Sequence, residues 1–372
     1  MALYVGLLFY YIFGMLFEKI IGRKMNNKFW ILILTIPLFI IVAFRSQFVG
    51  NDTLNYYGSF TTVSQESFFS ETVSRLEIGY VYCIRTISLL GFDYLGFQII
   101  TTAFVYFSLA RFIYKYSSNY AMSMFCFVTL NMFAQTMNIS RQYIAIAILT
   151  YSISFILEKK PIKFSIVVFI ATLFHTTSLI FLIIYYLVNV KLTKMKKLII
   201  IIVGISISIG FDFVIGILSK FFGVYEGYLS GEYFETEGKI AVYFLLMIYF
   251  SFFLLGTAVG YGKDRNKNND GTATICVTNQ RRINKERLYY VAILITLVLG
   301  IIGLNTSIMS RLVSYFFIFF LVYIPDVLKV IKEKNIRFIV TNAIVVGLFL
   351  YYMIIMIFRP QWTGVIPYTW YF

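Results

Sequence analysis

"FSIVVFIATLFHTTSLIFLIIYYLV", residues 164 to 188, decides what kind of protein this is. It is apolar almost throughout, yet basic clusters flank it on both sides, "EKKPIK" before and "KLTKMKK" after. A hydrophobic stretch this long reads as membrane-embedded, and Lys and Arg collect at the cytoplasmic ends of membrane helices. Both ends of residues 163–190 should therefore face the cytoplasm, so the segment must turn back on itself. "HTTS" offers the turn and leaves two short half-helices with His175 at the tip. A broken or re-entrant hairpin of this kind is tolerated only where its freed backbone groups are buried in protein or face a wet cavity. His175 is expected at such a cavity.

The rest of the chain agrees. Of 372 residues, 60% are hydrophobic and 20% aromatic, more apolar surface than a soluble domain of this size can bury. Apolar spans fall near 2–17, 29–44, 94–113, 119–137, 141–157, 163–190, 198–218, 239–260, 288–305, 310–326 and 338–358. Their length marks them as helices rather than the strands of an outer-membrane barrel. The fold class is all-α: a polytopic integral membrane protein, one transmembrane domain over residues 1–372 with about 10–12 transmembrane or re-entrant helices. "MALYVGLLFYYIFGMLF" lacks the basic start and small-residue cleavage site of a signal peptide and reads as a retained first span.

The net charge of +15 says more about topology than about partners. Most Lys and Arg fall in "EKIIGRKMNNK", "EKKPIK", "KLTKMKK", the 261–287 loop and "KVIKEKNIR", which should be cytoplasmic. The 261–287 loop is best read as topogenic and lipid-facing, and nucleic acid is a poor candidate for it. The other side carries Arg45, Arg75, Arg85, Arg141, Arg311 and Arg359 but only Lys220 and Lys239, and both termini. Residues 45–93 lie on that side. Within them "SRLEIGYVYCIRTISLLG" suggests an amphipathic interfacial helix with Ile78, Val81, Tyr82, Ile84 and Leu89 on its apolar face. "GVYEGYLSGEYFETEGK" reads as an acidic exposed loop.

Few motifs for chemistry are present. Cys83, Cys126 and Cys276 stand far apart and form neither a disulfide framework nor a thiolate site. There is no GxSxG elbow, HExxH, Walker loop or DxD pair. Glu232, Glu235 and Glu237 suit an acidic loop better than a metal site, so neither metal nor cofactor is expected. Arg45, Arg141, Arg311 and Arg359 each stand at the outer end of a span. Singly they read as snorkelling residues; as a set without comparable lysines they suit a diphosphate, which the guanidinium fork binds well. His175 is the only histidine and reads equally as a base or as a polar cap on a broken helix. Asp52, in "GNDT", reads as an N-cap for the helix that follows.

"FRSQFVGNDTLNYY" (44–57), "RLEIGY" (75–80), "NISRQYIAIAIL" (138–149), "ATLFHTTSLIF" (171–181), "SRLVSYF" (310–316) and "GVIPY" (364–368) occur in an order and spacing that covers nearly the whole chain. Together they resemble the EpsG branch of Wzy-type polysaccharide polymerases. Asn51 stands where the resemblance leads one to expect Thr. The resemblance implies a GT-C-like membrane glycosyltransferase of the bacterial cytoplasmic membrane, acting on its extracytoplasmic side. Its donor and acceptor would be undecaprenyl-diphosphate-linked oligosaccharides, as in capsule or O-antigen assembly, and a chain-length regulator is an expected partner. His175 would be the base, by similarity with the related O-antigen ligases, and Asp52 the second choice. Arg45, Arg141 and Arg311 would bind the diphosphate, and Glu77, Tyr80, Asn55 and Tyr56 the sugar. A lipid-linked oligosaccharide flippase and a polysaccharide O-acyltransferase are the rival readings.

Overall fold

The structure, a computed structural model, describes residues 1–21, 26–67, 70–190, 192–211, 213, 239–262, 273–305 and 307–372. Lys220 and the acidic loop with Glu232, Glu235 and Glu237 lie outside these. The described residues are predominantly helical and contain no strand, only an isolated antiparallel bridge between Arg45 and Trp370.

Two compact units divide the chain, residues Met1–Leu179 with Ile324–Phe372, and residues Ile180–Tyr323. The first begins with α1 (Ala2–Ile21), α2 (Asn27–Ala43), α3 (Thr53–Gln65), α4 (Glu71–Ser74) and α5 (Ile78–Leu89). It continues through α6 (Tyr94–Tyr116), α7 (Tyr120–Thr129), α8 (Met132–Asn138), α9 (Ser140–Leu157) and α10 (Pro161–Thr172). A 3-10 turn at Thr176–Phe181 follows. The second unit holds α11 (Leu182–Asn189), α12 (Lys194–Ile209), α13 (Lys239–Ala258), α14 (Ala273–Ile302) and α15 (Ser307–Phe317). After α16 (Phe320–Val330), α17 (Lys334–Phe358) completes the first unit.

Among the described residues four helices are long and apolar enough to cross a membrane: Ala2–Ile20, Tyr94–Tyr116, Ser140–Leu157 and Lys334–Phe358. α15 and α16, bent by 44° at Ile318–Phe319, make a fifth if taken as one span. Shorter apolar helices fall on the expected spans 29–44, 119–137, 163–190 and 239–260. Residues 119–137 divide at Asn131, whose φ of 64° is left-handed, a conformation that Asn adopts more readily than most residues. Residues 273–287, expected in a loop, instead open the 30-residue α14. Their run of Gln, Arg, Lys and Glu favours helix, and Arg282 pairs with Glu286 one turn on.

In the first unit α7 is buried along nearly its whole length. Asn119 caps its start by accepting from Met122 N, and the Glu18 carboxylate of α1 accepts from Tyr120 N, Ala121 N and Trp30 Nε1. One carboxylate thus satisfies helix-end donors that would otherwise be orphaned and ties α1 and α2 to α7. In the second unit α14 meets α13 through the stacked rings of Phe253 and Tyr290, 5.4 Å apart.

Residues 45–93 contain three helices, α3, α4 and α5. On α5 the buried face is Tyr80, Val81, Ile84 and Ile87. Of the expected apolar residues only Val81 and Ile84 are buried; Ile78, Tyr82 and Leu89 are exposed.

Candidate active site

α9 and α10 pack side by side, joined by a tight connection in which Lys159 takes a φ of 55° and Lys160 N donates to Phe155 O. The chain therefore runs down α9 from Arg141 and climbs back along α10, which ends just before His175. Here α5 meets it. Gly79 N donates to Leu173 O at 2.8 Å, and a Cβ at Gly79 would lie only 2.7 Å from that oxygen. Glycine is what permits the two backbones to approach so closely.

That contact brings two side chains onto one carboxylate. Glu77 stands at the N-cap position of α5 without capping it. Its Oε1 meets His175 Nδ1 at 2.9 Å, and its Oε2 accepts from Arg141. Arg141 also lies over the ring of Tyr80, 5.6 Å from the centroid. The cluster is partly open to solvent, with the Glu77 side chain 16% exposed. Burial works to raise the Glu77 carboxyl, but the His175 hydrogen bond and the Arg141 charge outweigh it and hold the group below the usual carboxylate range. An ionised carboxylate only accepts hydrogen bonds, so the Nδ1 proton of His175 is the one donated. In the neutral imidazole the lone pair then sits on Nε2.

Behind Tyr80 lies a cavity of about 30 Å³, lined among others by Arg45, Tyr56, Tyr80, Tyr94, Gln98 and Tyr106. Arg45 is 3% exposed and donates to Val42 O at 2.6 Å, at the C-terminal end of α2. Burial lowers the Arg45 pKa, and nearby tyrosines rather than acids offset this. The space has room for about two waters.

A third cluster is made of backbone. Segment 44–51 is stitched to the chain's last residues through Ser46 N to Thr369 O, Gly50 N to Gly364 O and Tyr371 N to Phe44 O. The Asn51 amide donates to Gln361 O and Trp362 O. Asn138 joins both, accepting from Asn51 N at 2.6 Å and donating to Thr363 O at 2.8 Å. Gly50, with a φ of +100°, makes the turn that carries Asn51 there.

Of the expected site residues, His175, Glu77, Arg141 and Tyr80 come together, and Arg45 and Tyr56 share the cavity with Tyr80. The Tyr56 hydroxyl donates to Asn138 O. Asp52 occupies the N-cap position of α3 but makes no side-chain cap hydrogen bond; accordingly, its expected capping bond is absent. Asn55 is exposed on α3, and Arg311 is exposed on α15 in the second unit. Gly79, Gln98 and Asn138 were not singled out from the sequence. Gln98 was visible as a polar residue inside an apolar span. Among the described residues no three His, Cys, Asp or Glu side chains could hold a metal ion.

Neither a curated protein nor a solved structure matches this chain. The profile of the EpsG family matches residues 28–370, a range that includes the Glu77 cluster, the cavity and most of the stitched C-terminal segment. On that match, which spans nearly its whole length, the chain belongs to the EpsG family.

Proposed function

We propose that the protein is a polysaccharide polymerase of the bacterial cytoplasmic membrane that joins undecaprenyl-diphosphate-linked oligosaccharide repeat units on the extracytoplasmic side. EpsG membership supports the general statement, a polymerase-like role in polysaccharide biosynthesis; donor lipid, membrane face and chemistry are our reading. The observation that carries it is the bridging of His175 and Arg141 by Glu77. This puts a histidine with a free Nε2 lone pair and a multiply donating cation on one carboxylate. It also joins the tip of "HTTS" to the 45–93 segment, which the charge distribution assigns to the outside.

The reaction is an inverting, metal-independent glycosyl transfer. An acceptor hydroxyl on one lipid-linked unit attacks the anomeric carbon of the donor glycan as His175 Nε2 takes the hydroxyl proton. The new glycosidic C–O bond forms on one face while the C–O bond to the diphosphate breaks on the other, and the diphosphate leaves with the electron pair. Arg141 gives one N–H to Glu77 and has further guanidinium donors for the negative charge growing on the leaving group; a donor of this kind is worth about 3 kcal/mol of barrier. Both oxygens of Glu77 are engaged, so its role shifts from holding sugar to setting the histidine tautomer.

The test is reconstitution of the full chain in liposomes with the undecaprenyl-diphosphate repeat unit of the same cell, in EDTA, followed by electrophoresis of the glycan. A ladder of lengths is expected. A repeat unit that stays single, with the substrate shown to be competent, overturns the polymerase reading and turns attention to lipid translocation or O-acylation.

A further inference from the structure

Buried polar groups in proteins almost always have partners, so buried groups that lack them point to something that binds there. Three such atoms belong to residues that line the cavity behind Tyr80: Arg45 Nε, Gln98 Oε1 and the Tyr80 hydroxyl. Their residues are 3%, 3% and 1% exposed. Several other polar groups on the same wall are already used. Tyr106 and Thr136 bond each other, Tyr94 donates to Thr53 O, and Ser140 donates to Thr136 O.

The chemical character of the three is fixed. Gln98 Nε2 donates to Ala43 O and Arg45 O, each at 3.0 Å. Turning the amide over would set Oε1 against two carbonyls, so Oε1 is the atom left as acceptor. Arg45 Nε can only donate, and the Tyr80 hydroxyl can do either. These three unpartnered atoms therefore offer one donor, one acceptor and one group that is both. A phosphate or carboxylate matches this poorly, because it brings no proton for Gln98. A hydroxyl matches, because it accepts from Arg45 and Tyr80 while donating to Gln98. Space for about two waters suits a CH2OH group. The Tyr80 ring also carries Arg141 on its face, so the cavity adjoins the Glu77 cluster.

We propose that this cavity seats the exocyclic hydroxymethyl group of a hexose in the substrate, which makes it a specificity pocket for sugars bearing a 6-hydroxyl. The proposal rests on the saccharide reading above, but its test does not need turnover. The full chain in lipid nanodiscs is titrated with the methyl pyranosides of glucose, galactose and mannose and with their 6-deoxy counterparts, observed by saturation-transfer NMR. At least one hexoside should show saturated hydroxymethyl protons and bind about five-fold better than its 6-deoxy counterpart, the value of one ordinary hydrogen bond. Tyr80→Phe, which removes only the hydroxyl, should erase that preference, and Arg45→Lys, which keeps the charge but loses Nε, should reduce it. Equal binding of all parent and 6-deoxy pairs, or a preference unchanged in both variants, overturns the proposal and leaves the cavity to water. The same preparations are run for the glycan ladder. A missing ladder with the preference intact sinks the polymerase reading and not the pocket.

Discussion

Glu77 Oε1 lies 2.9 Å from His175 Nδ1, across 98 residues of sequence, while Oε2 holds Arg141. Glu77→Gln separates the proposed roles of this carboxylate. A glutamine can present its NH2 to Nδ1, which then has to accept, moving the proton to Nε2 and removing the base lone pair. Chain elongation should fall about 100-fold or more, the usual share of a general base. The effect should appear in kcat rather than KM; a change confined to KM would return Glu77 to sugar binding.

His175→Ala should abolish the glycan ladder while the protein accumulates in the membrane at its normal level. The side chain is only partly buried at a helix break, so the fold does not depend on it. Ladder formation at wild-type rate by a His175→Ala protein would remove this residue from proton transfer and bring Asp52 forward.

The Glu77 carboxyl is held below its ordinary 4.5. A carboxyl with a depressed folded-state pKa contributes stability above its unfolded pKa, and that contribution is lost as pH falls through the folded-state value. Thermal unfolding in detergent should therefore show wild type above Glu77→Gln at pH 7. The gap should close as pH drops below about 4.5. A gap independent of pH would mean that shape, not charge, distinguishes the two proteins.

Gly79→Ala places a methyl 2.7 Å from Leu173 O and must push α5 off the end of α10. Overpacking of this kind costs about 1–3 kcal/mol. Both melting temperature and elongation should drop, because the Gly79–Leu173 hydrogen bond is what sets Glu77 against His175. Elongation that survives with a lowered melting temperature would show that the cluster has other support.

Asn138→Ala strands Asn51 N and Thr363 O, at a cost of about 1–3 kcal/mol. Limited proteolysis should then cut within residues 360–372 far faster than in wild type. Unchanged protection of that segment would show that the Asn51 amide and the backbone pairs hold it alone.

Much of the architecture was legible because the membrane demands it. Long apolar runs have few options besides helix, and basic flanks forced a break at "HTTS", where α10 ends and a 3-10 turn begins. The breaks at Asn131 and Ile318–Phe319 were hidden, since local apolar content does not reveal a bend whose cause is packing. At the site, single residues were readable and their partners were not. Glu77 and His175 both stood out, but nothing local to either says that they meet. Gly79 sat inside the quoted "RLEIGY", and only the approach of α10 explains it. Arg45 looked like an exposed phosphate ligand because it follows a span; it is buried because the C-terminal segment pairs with the residues around it.

That pairing sets a timetable. A ribosome works from the N-terminal side, so Asn51 emerges 310 residues before Gln361, whose carbonyl it binds, and the carbonyls of Trp362, Gly364 and Thr369 that bind residues 44–51 follow later still. Until then the Arg45 loop and Asn138 lack these hydrogen-bond partners. A chain stopped short of residue 361 would leave the loop that carries Arg45 without these backbone partners.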